Sequence, residues 1–190
     1  SLAYTLDEIV ENTSSVILRY SVNLNTTKET VRFPVVKDDL RGEGFRVETH
    51  NGDKIDAKYE GGYIEFNRVD DFVYITFGPF ESEQGQVENA QTLNQREYTL
   101  SSSDKEKVVI EGFFKELNKS YYSDYLALKK QFNIPNRVDF AATLVLSDDD
   151  RISLDRPVPS GLDVFSESER VKVMREDGSL SFADMDVRVC

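Results

Sequence analysis

The sequence predicts a β-rich α+β protein. Three observations carry that expectation. Apolar and polar residues alternate in short runs over the first 80 residues. Turn-forming pairs such as Asn51-Gly52 and Gly61-Gly62 separate those runs. One stretch near 111–132 changes to a helical period. Alternation with period two marks half-buried strands, and a period of 3.6 marks one face of a helix.

Residues 4–14 place Leu6, Ile9 and Val10 at helical spacing, so a short N-terminal helix is expected. Val16, Leu18, Tyr20, Val22 and Leu24 then alternate with Ile17, Arg19, Ser21 and Asn23. Val31, Phe33 and Val35 do the same beyond Asn25-Thr26-Thr27, and 16–36 reads as a hairpin with Pro34 near an edge. Strands around 45–49 and 55–59 flank Asn51-Gly52, a pair that tolerates positive φ. Gly61-Gly62 leads into 63–66, and Asp70-Asp71 into 72–77. Closely spaced strands of this kind predict a β-sandwich-like N-terminal half over 1–80.

Residues 81–97 are polar and aperiodic and read as a linker or long loop. The expected C-terminal unit, 98–190, is smaller and of α+β type. It opens with short strands at 98–100 and 108–110 around a turn at Ser101–Asp104. One long helix follows near 111–132, with Phe113, Leu117, Tyr121, Tyr125, Leu128 and Phe132 on one face. Lys129 and Lys130 suit its last turn, and Pro135 lies beyond it. Strands at 140–146, 152–154, 171–174 and 180–189 complete the reading, with turns at Asp148–Asp150 and Asp177-Gly178.

Composition excludes several functions. The chain of 190 residues has 35 acidic and 23 basic residues, a formal charge of −12. With no basic stripe to displace phosphate counterions, nucleic acid is not an expected partner. Anionic membrane surfaces are disfavoured on the same ground. His50 is the single histidine, Cys190 the single cysteine, and there is no Trp. One Cys forms no internal disulfide and does not identify a redox compartment. No apolar run reaches the ~20 residues that span a bilayer. The chain starts at Ser1-Leu2 without Met, which reads as a trimmed start, so any leader or anchor would lie upstream.

Sites for chemistry are sparse. His50 is expected on a solvated hairpin tip, without a visible nucleophile, and a second His or internal Cys for zinc is missing. Asp148, Asp149 and Asp150 offer oxygen atoms to Ca²⁺, but their spacing is not that of an EF-hand loop. Asp38-Asp39 and Asp70-Asp71 read as solvated turns. Gly42-Glu43-Gly44 lacks the rest of a dinucleotide fingerprint. Tyr63, Tyr74, Tyr121 and Tyr122 are candidates for a sugar-binding platform, against the simpler reading of sheet and helix core. Acidic pairs suited to glycoside hydrolysis are too easily found among 35 carboxylates to discriminate. Asn12, Asn25 and Asn118 head glycosylation sequons. No catalytic residue, cofactor site or metal centre is assigned, and the expectation is a protein that is not an enzyme.

The last 70–80 residues carry a resemblance. YYSDYLALKKQFNIPNRVDFAATLVLSDDD is a helix ending in Leu-Lys-Lys, a linker and a strand led by Asp139-Phe140. VPSGLDVFSESERVKVMREDGSLSFADMDVRVC adds a Val-Phe-Ser segment and a strand before Asp177-Gly178. This arrangement resembles the globular part of archaeal exported, type IV pilin-like membrane proteins of unassigned function. The resemblance implies a β-rich ectodomain held by an N-terminal hydrophobic helix, which is missing from this sequence. It implies no catalytic residues.

The expected function is therefore a non-enzymatic, extracytoplasmic domain of a membrane-anchored surface protein, engaged in assembly or adhesion through a protein partner or itself. Val31–Val35 and 185–189 are the candidate pairing edges. A carbohydrate- or other ligand-binding module is the alternative, and an Asp/Glu hydrolase comes third.

Overall fold

A computed structural model describes residues 1–35, 44–82, 84–157 and 160–190. Asp38-Asp39 and Gly42-Glu43 lie outside the described residues. The molecule is β-rich, of α+β type, and divides into two compact units. One contains residues 1–14, 108–175 and 180–190; the other contains 15–107 and 176–179. This division differs from the expected one at 80 and 98: the N-terminal helix belongs with the C-terminal half, and 81–107 belongs with the N-terminal strands.

In the 15–107 unit, β1 (Ser14–Leu24), β3 (Gly44–Glu48), β4 (Lys54–Ile55) and β7 (Phe72–Gly78) share one sheet with β9 (Tyr98–Ile110), in the order β9-β1-β7-β3-β4. A second sheet has β2 (Thr30–Pro34), β5 (Ala57–Glu60), β6 (Tyr63–Asn67) and β8 (Gln91–Thr92) in the order β5-β6-β2-β8. Their inward residues form one core, with Leu18, Val22, Phe33, Phe66, Ile75 and Phe77 among its members. Burying such side chains drives folding, at about 1.5–3 kcal/mol each.

Turn chemistry explains the local connections. Gly61 and Gly62 take φ of 59° and 86°, as a two-residue hairpin turn between β5 and β6 requires. β3 and β4 pair across the Asn51-Gly52 turn as the sequence indicates, with Gly52 at φ 85°. Three expectations are corrected. β1 and β2 are not a hairpin, because β1 pairs with β7 whereas β2 pairs with β6 and β8. Asp56 separates β4 in one sheet from β5 in the other, so 55–59 is not one strand. Residues 98–110 form a single strand with no turn at Ser101–Asp104. Side-chain bonds hold that polar stretch extended: Ser102 Oγ donates to Ser21 Oγ at 2.9 Å, and Asn23 Nδ2 donates to Ser101 Oγ.

The 84–97 stretch, which includes β8, packs on its own unit. Val87 and Leu93 are buried, and Gly85 N–H donates to the Ala57 carbonyl at 2.7 Å. Glu97 fastens its end. Lys28 Nζ at 2.6 Å, the Thr26 hydroxyl at 2.6 Å and the Asn94 N–H at 3.1 Å all donate to its carboxylate. These bonds, the Lys28 bond first, lower its pKa to about 2.

In the other unit, β10 (Phe140–Ser147), β11 (Asp150–Leu154), β12 (Phe165–Met174) and β13 (Leu180–Val189) form an antiparallel sheet in the order β11-β10-β13-β12. The last residues of β9 add in parallel, Val109 and Ile110 facing Val173 and Met174. Three helices pack their apolar residues with one face of this sheet: α1 (Leu2–Asn12), α2 (Glu111–Ser123) and α3 (Tyr125–Gln131).

The expected long helix is two helices. Asp124 leaves the helical region at φ −150°, ψ 75°, and its Oδ1 accepts from Ala127 N–H at 3.1 Å, capping α3. The apolar stripe hides the break, because Tyr121, Tyr125, Leu128 and Phe132 keep their 3–4 spacing through it and all are buried. The stripe starts one residue later than expected: Phe114 is buried and Phe113 is exposed.

Candidate functional site

β12 has one edge that its neighbour β9 covers only in part. Along one side it pairs with β13 over its full length, from Phe165 opposite Val189 to Met174 opposite Leu180. Along the other, β9 reaches only Val173 and Met174. Residues Phe165–Arg170 are all exposed. A strand edge of this kind carries unpaired N–H and C=O groups and is a template for an added strand. The sequence placed the candidate edges elsewhere: β13 lies between β10 and β12, a correction, whereas β2 lies between β6 and β8 with β8 pairing at Val31 and Arg32 only.

Side chains alternate along this edge. Phe165, Glu167 and Glu169 lie on the face that buries Val171 and Val173 beneath the helices. Among the described residues, no ion pair or side-chain hydrogen bond reaches Glu167 or Glu169. On the opposite face the polar groups pair within the sheet: Ser168 Oγ with Asp186 at 2.5 Å, and Arg170 with Asp184 at 3.4 Å.

An apolar groove of about 680 Å³ begins at Phe165. Leu2, Tyr4, Ile134, Val138 and Val189 line it with Phe165, and Arg137 is its charged wall residue. Tyr4 is fixed by its hydroxyl, which donates to the Phe132 carbonyl at 3.0 Å. Phe165 is 61% exposed. Sequence reasoning missed this edge because 165–170 carries no apolar alternation; the run of exposed polar residues next to a solitary Phe was its signal.

Beside the groove lies a buried polar cluster. Lys129, in the last turn of α3, is 1% exposed. Its Nζ donates to the Asn136 carbonyl at 2.7 Å and to Asp139 Oδ1 at 3.1 Å. Tyr121 O–H donates to the Phe140 carbonyl at 2.7 Å, and the Tyr125 O–H to Asp139 Oδ1 at 3.1 Å. The Arg156 guanidinium lies over the Tyr125 ring at 4.0 Å. Burial raises the pKa of the Tyr121 phenol, and pushes that of Tyr125 up to about 12. A native state that keeps a phenol neutral loses stability once the unfolded chain can ionise it. The Tyr125 contribution is thus complete below pH 10 and disappears as pH rises through about 12. Alkaline titration followed by phenolate absorbance is expected to show the Tyr121 and Tyr125 phenols ionising only as this unit unfolds. Ionisation of either phenol near pH 10 in the folded chain would contradict it.

The other sequence candidates do not converge. Asp148 and Asp149 form the β10–β11 turn, while Asp150 Oδ2 bonds Arg175 at 2.6 Å, and Arg175 also holds the buried Glu111 at 3.1 Å. Among the described residues, no group of three or more His, Cys, Asp or Glu is placed to hold a metal ion. His50 Nδ1 lies 3.7 Å from Asp70 Oδ2, with both side chains more than half exposed. Asp71 bonds Arg68 at 3.2 Å. Tyr63 and Tyr74 belong to different sheets and each faces a guanidinium, Arg32 at 4.2 Å and Arg19 at 3.9 Å. Tyr121 is buried, and the exposed Tyr122 spends its hydroxyl on 153–155. Of the sequon residues, Asn12 and Asn118 bond the carbonyls of Glu8 and Ser153, while Asn25 is exposed in the loop after β1. Cys190 is a half-buried free thiol.

No family model, no curated protein and no solved structure matches the chain. Among the described residues, no helix is long and apolar enough to cross a membrane.

Proposed function

We propose that this chain is a non-enzymatic interaction domain of an anchored, extracytoplasmic surface protein, pilin-like in organisation, that acts in assembly or adhesion by strand addition. The open edge of β12 beside the apolar groove is the observation that carries the reading. Strand addition draws affinity from main-chain hydrogen bonds and specificity from alternate side chains, so it needs no catalytic group. Aspartates and glutamates elsewhere keep the surface acidic and soluble.

The test is made on intact cells that produce the native protein. External protease is expected to cleave it without lysis, and Ser168→Pro is expected to release it from its assemblies. Proline removes an N–H from the edge and disfavours an added strand. Complete protection from external protease would overturn the location. Unchanged assembly in a folded Ser168→Pro variant would overturn the mechanism.

A further inference from the structure

From the same edge, and resting on the strand-addition reading, we infer that the partner of β12 is a basic extended segment, not a second copy of this chain. It reads apolar–base–base at alternate positions. Two independent features require this pattern. On the helix-side face, Phe165 opens onto the groove, and Glu167 and Glu169 follow it without partners among the described residues. An added strand places its own alternate side chains directly opposite these, within about 4.5–5.5 Å between Cβ atoms. Lys or Arg there neutralises the two carboxylates, and an apolar residue one step beyond fills the groove against Phe165. The opposite face asks for no charge, because Ser168 and Arg170 already pair with Asp186 and Asp184.

Self-pairing centred within 167–169 fails on charge. Two antiparallel copies of one edge are related by a two-fold axis normal to the sheet. Each side chain then stays on its own face, so only residues of equal parity meet. Centring the axis on residue 168 sets Glu167 against Glu169 of the other copy. Centring on 167 or 169 sets a glutamate against itself. Like charges directly opposite one another are destabilising. In these registers the same glutamates repel the identical strand and attract a basic one.

The test uses the full chain and a labelled peptide, Leu-Thr-Lys-Thr-Lys-Thr-Leu, whose pattern reads the same in either direction. Its counterpart has Glu in place of both Lys. The Lys peptide is expected to bind, to slow backbone amide exchange within 165–170, and to weaken as salt rises. The Glu peptide is expected to bind at least about tenfold more weakly, a difference two like-charge contacts supply. The exposed double variant E167K/E169K is expected to reverse that preference, and circular dichroism checks its fold.

Equal binding of the two peptides, no reversal in E167K/E169K, or protection confined to other segments would overturn the inference. If neither peptide binds but the chain sediments as a dimer that Ser168→Pro dissociates, the basic partner is wrong and strand addition stands. If the outward amides of 165–170 already exchange slowly in the free chain, the edge is not open and both readings fall.

Discussion

Replacing Phe66 by Ala is expected to destabilise the 15–107 unit by about 3–5 kcal/mol, the range for emptying a buried phenylalanine site. Phe66 lies in β6, fully buried, with Val31 of β2 on one side and Ala57 of β5 on the other. Its ring therefore sits in the middle of the smaller sheet, inside the core the two sheets share. Hydrogen-bonded strands on both sides limit how far the backbone can collapse into the vacated volume. The loss is a large part of the 5–15 kcal/mol that typically holds a domain. Urea denaturation gives the measurement, with Phe182→Ala as comparison. Phe182 is 58% exposed, so its removal is expected to change stability by less than about 0.5 kcal/mol. Similar midpoints for the two variants would contradict the assigned core.

Lys129 is the second position where a large effect is expected, and there the effect depends on the replacement. Lys129→Ala deletes a buried stem and is expected to cost about 2–5 kcal/mol through the cavity left behind. Lys129→Met keeps most of the volume and removes the desolvation penalty of an ammonium group. Breaking a buried ion pair is usually severe because it strands the other charge. Here Asp139 is 49% exposed at its side chain and Asn136 is exposed, so water replaces the lost donor at both. Lys129→Met is accordingly expected within about 1 kcal/mol of the parent. Thermal unfolding of the two variants separates packing from charge. A Met variant as unstable as the Ala variant would show that the ion pair itself holds α3 to the 136–139 loop.

The acidic edge and the buried lysine follow from one electrostatic rule. A charge is tolerated where water or an opposite charge satisfies it. Glu167 and Glu169 are satisfied by solvent, and that leaves them available to a cationic strand. Lys129 has no such freedom, since the carbonyl of Asn136 and the carboxylate of Asp139 occupy it. Glu97 is also committed within the fold, to Lys28 and Thr26.

What the sequence determined by itself is local. Alternation located most strands, Gly61-Gly62 and Asn51-Gly52 specified their turns, and the 3.6-residue period found the helical stretch near 111–132. These signals arise between neighbours in the chain, where backbone sterics and a single buried face suffice. Tertiary structure decided which strands share a sheet. Period two says that a strand has a buried face and nothing about which edge is paired, so β1 and β2 looked like a hairpin although they join different sheets. The same blindness put an open edge at β13, which lies between β10 and β12. It also hid Phe165–Arg170, whose importance lies in the backbone partner it lacks beyond β9, a property no side-chain pattern records. Asp124 ended one helix and capped the next without disturbing the stripe, because i+3 and i+4 spacing carries across a one-residue break. Burial of Lys129 came last in this hierarchy: its acceptors, Asn136 and Asp139, reach it only when the chain beyond α3 turns back onto the helix.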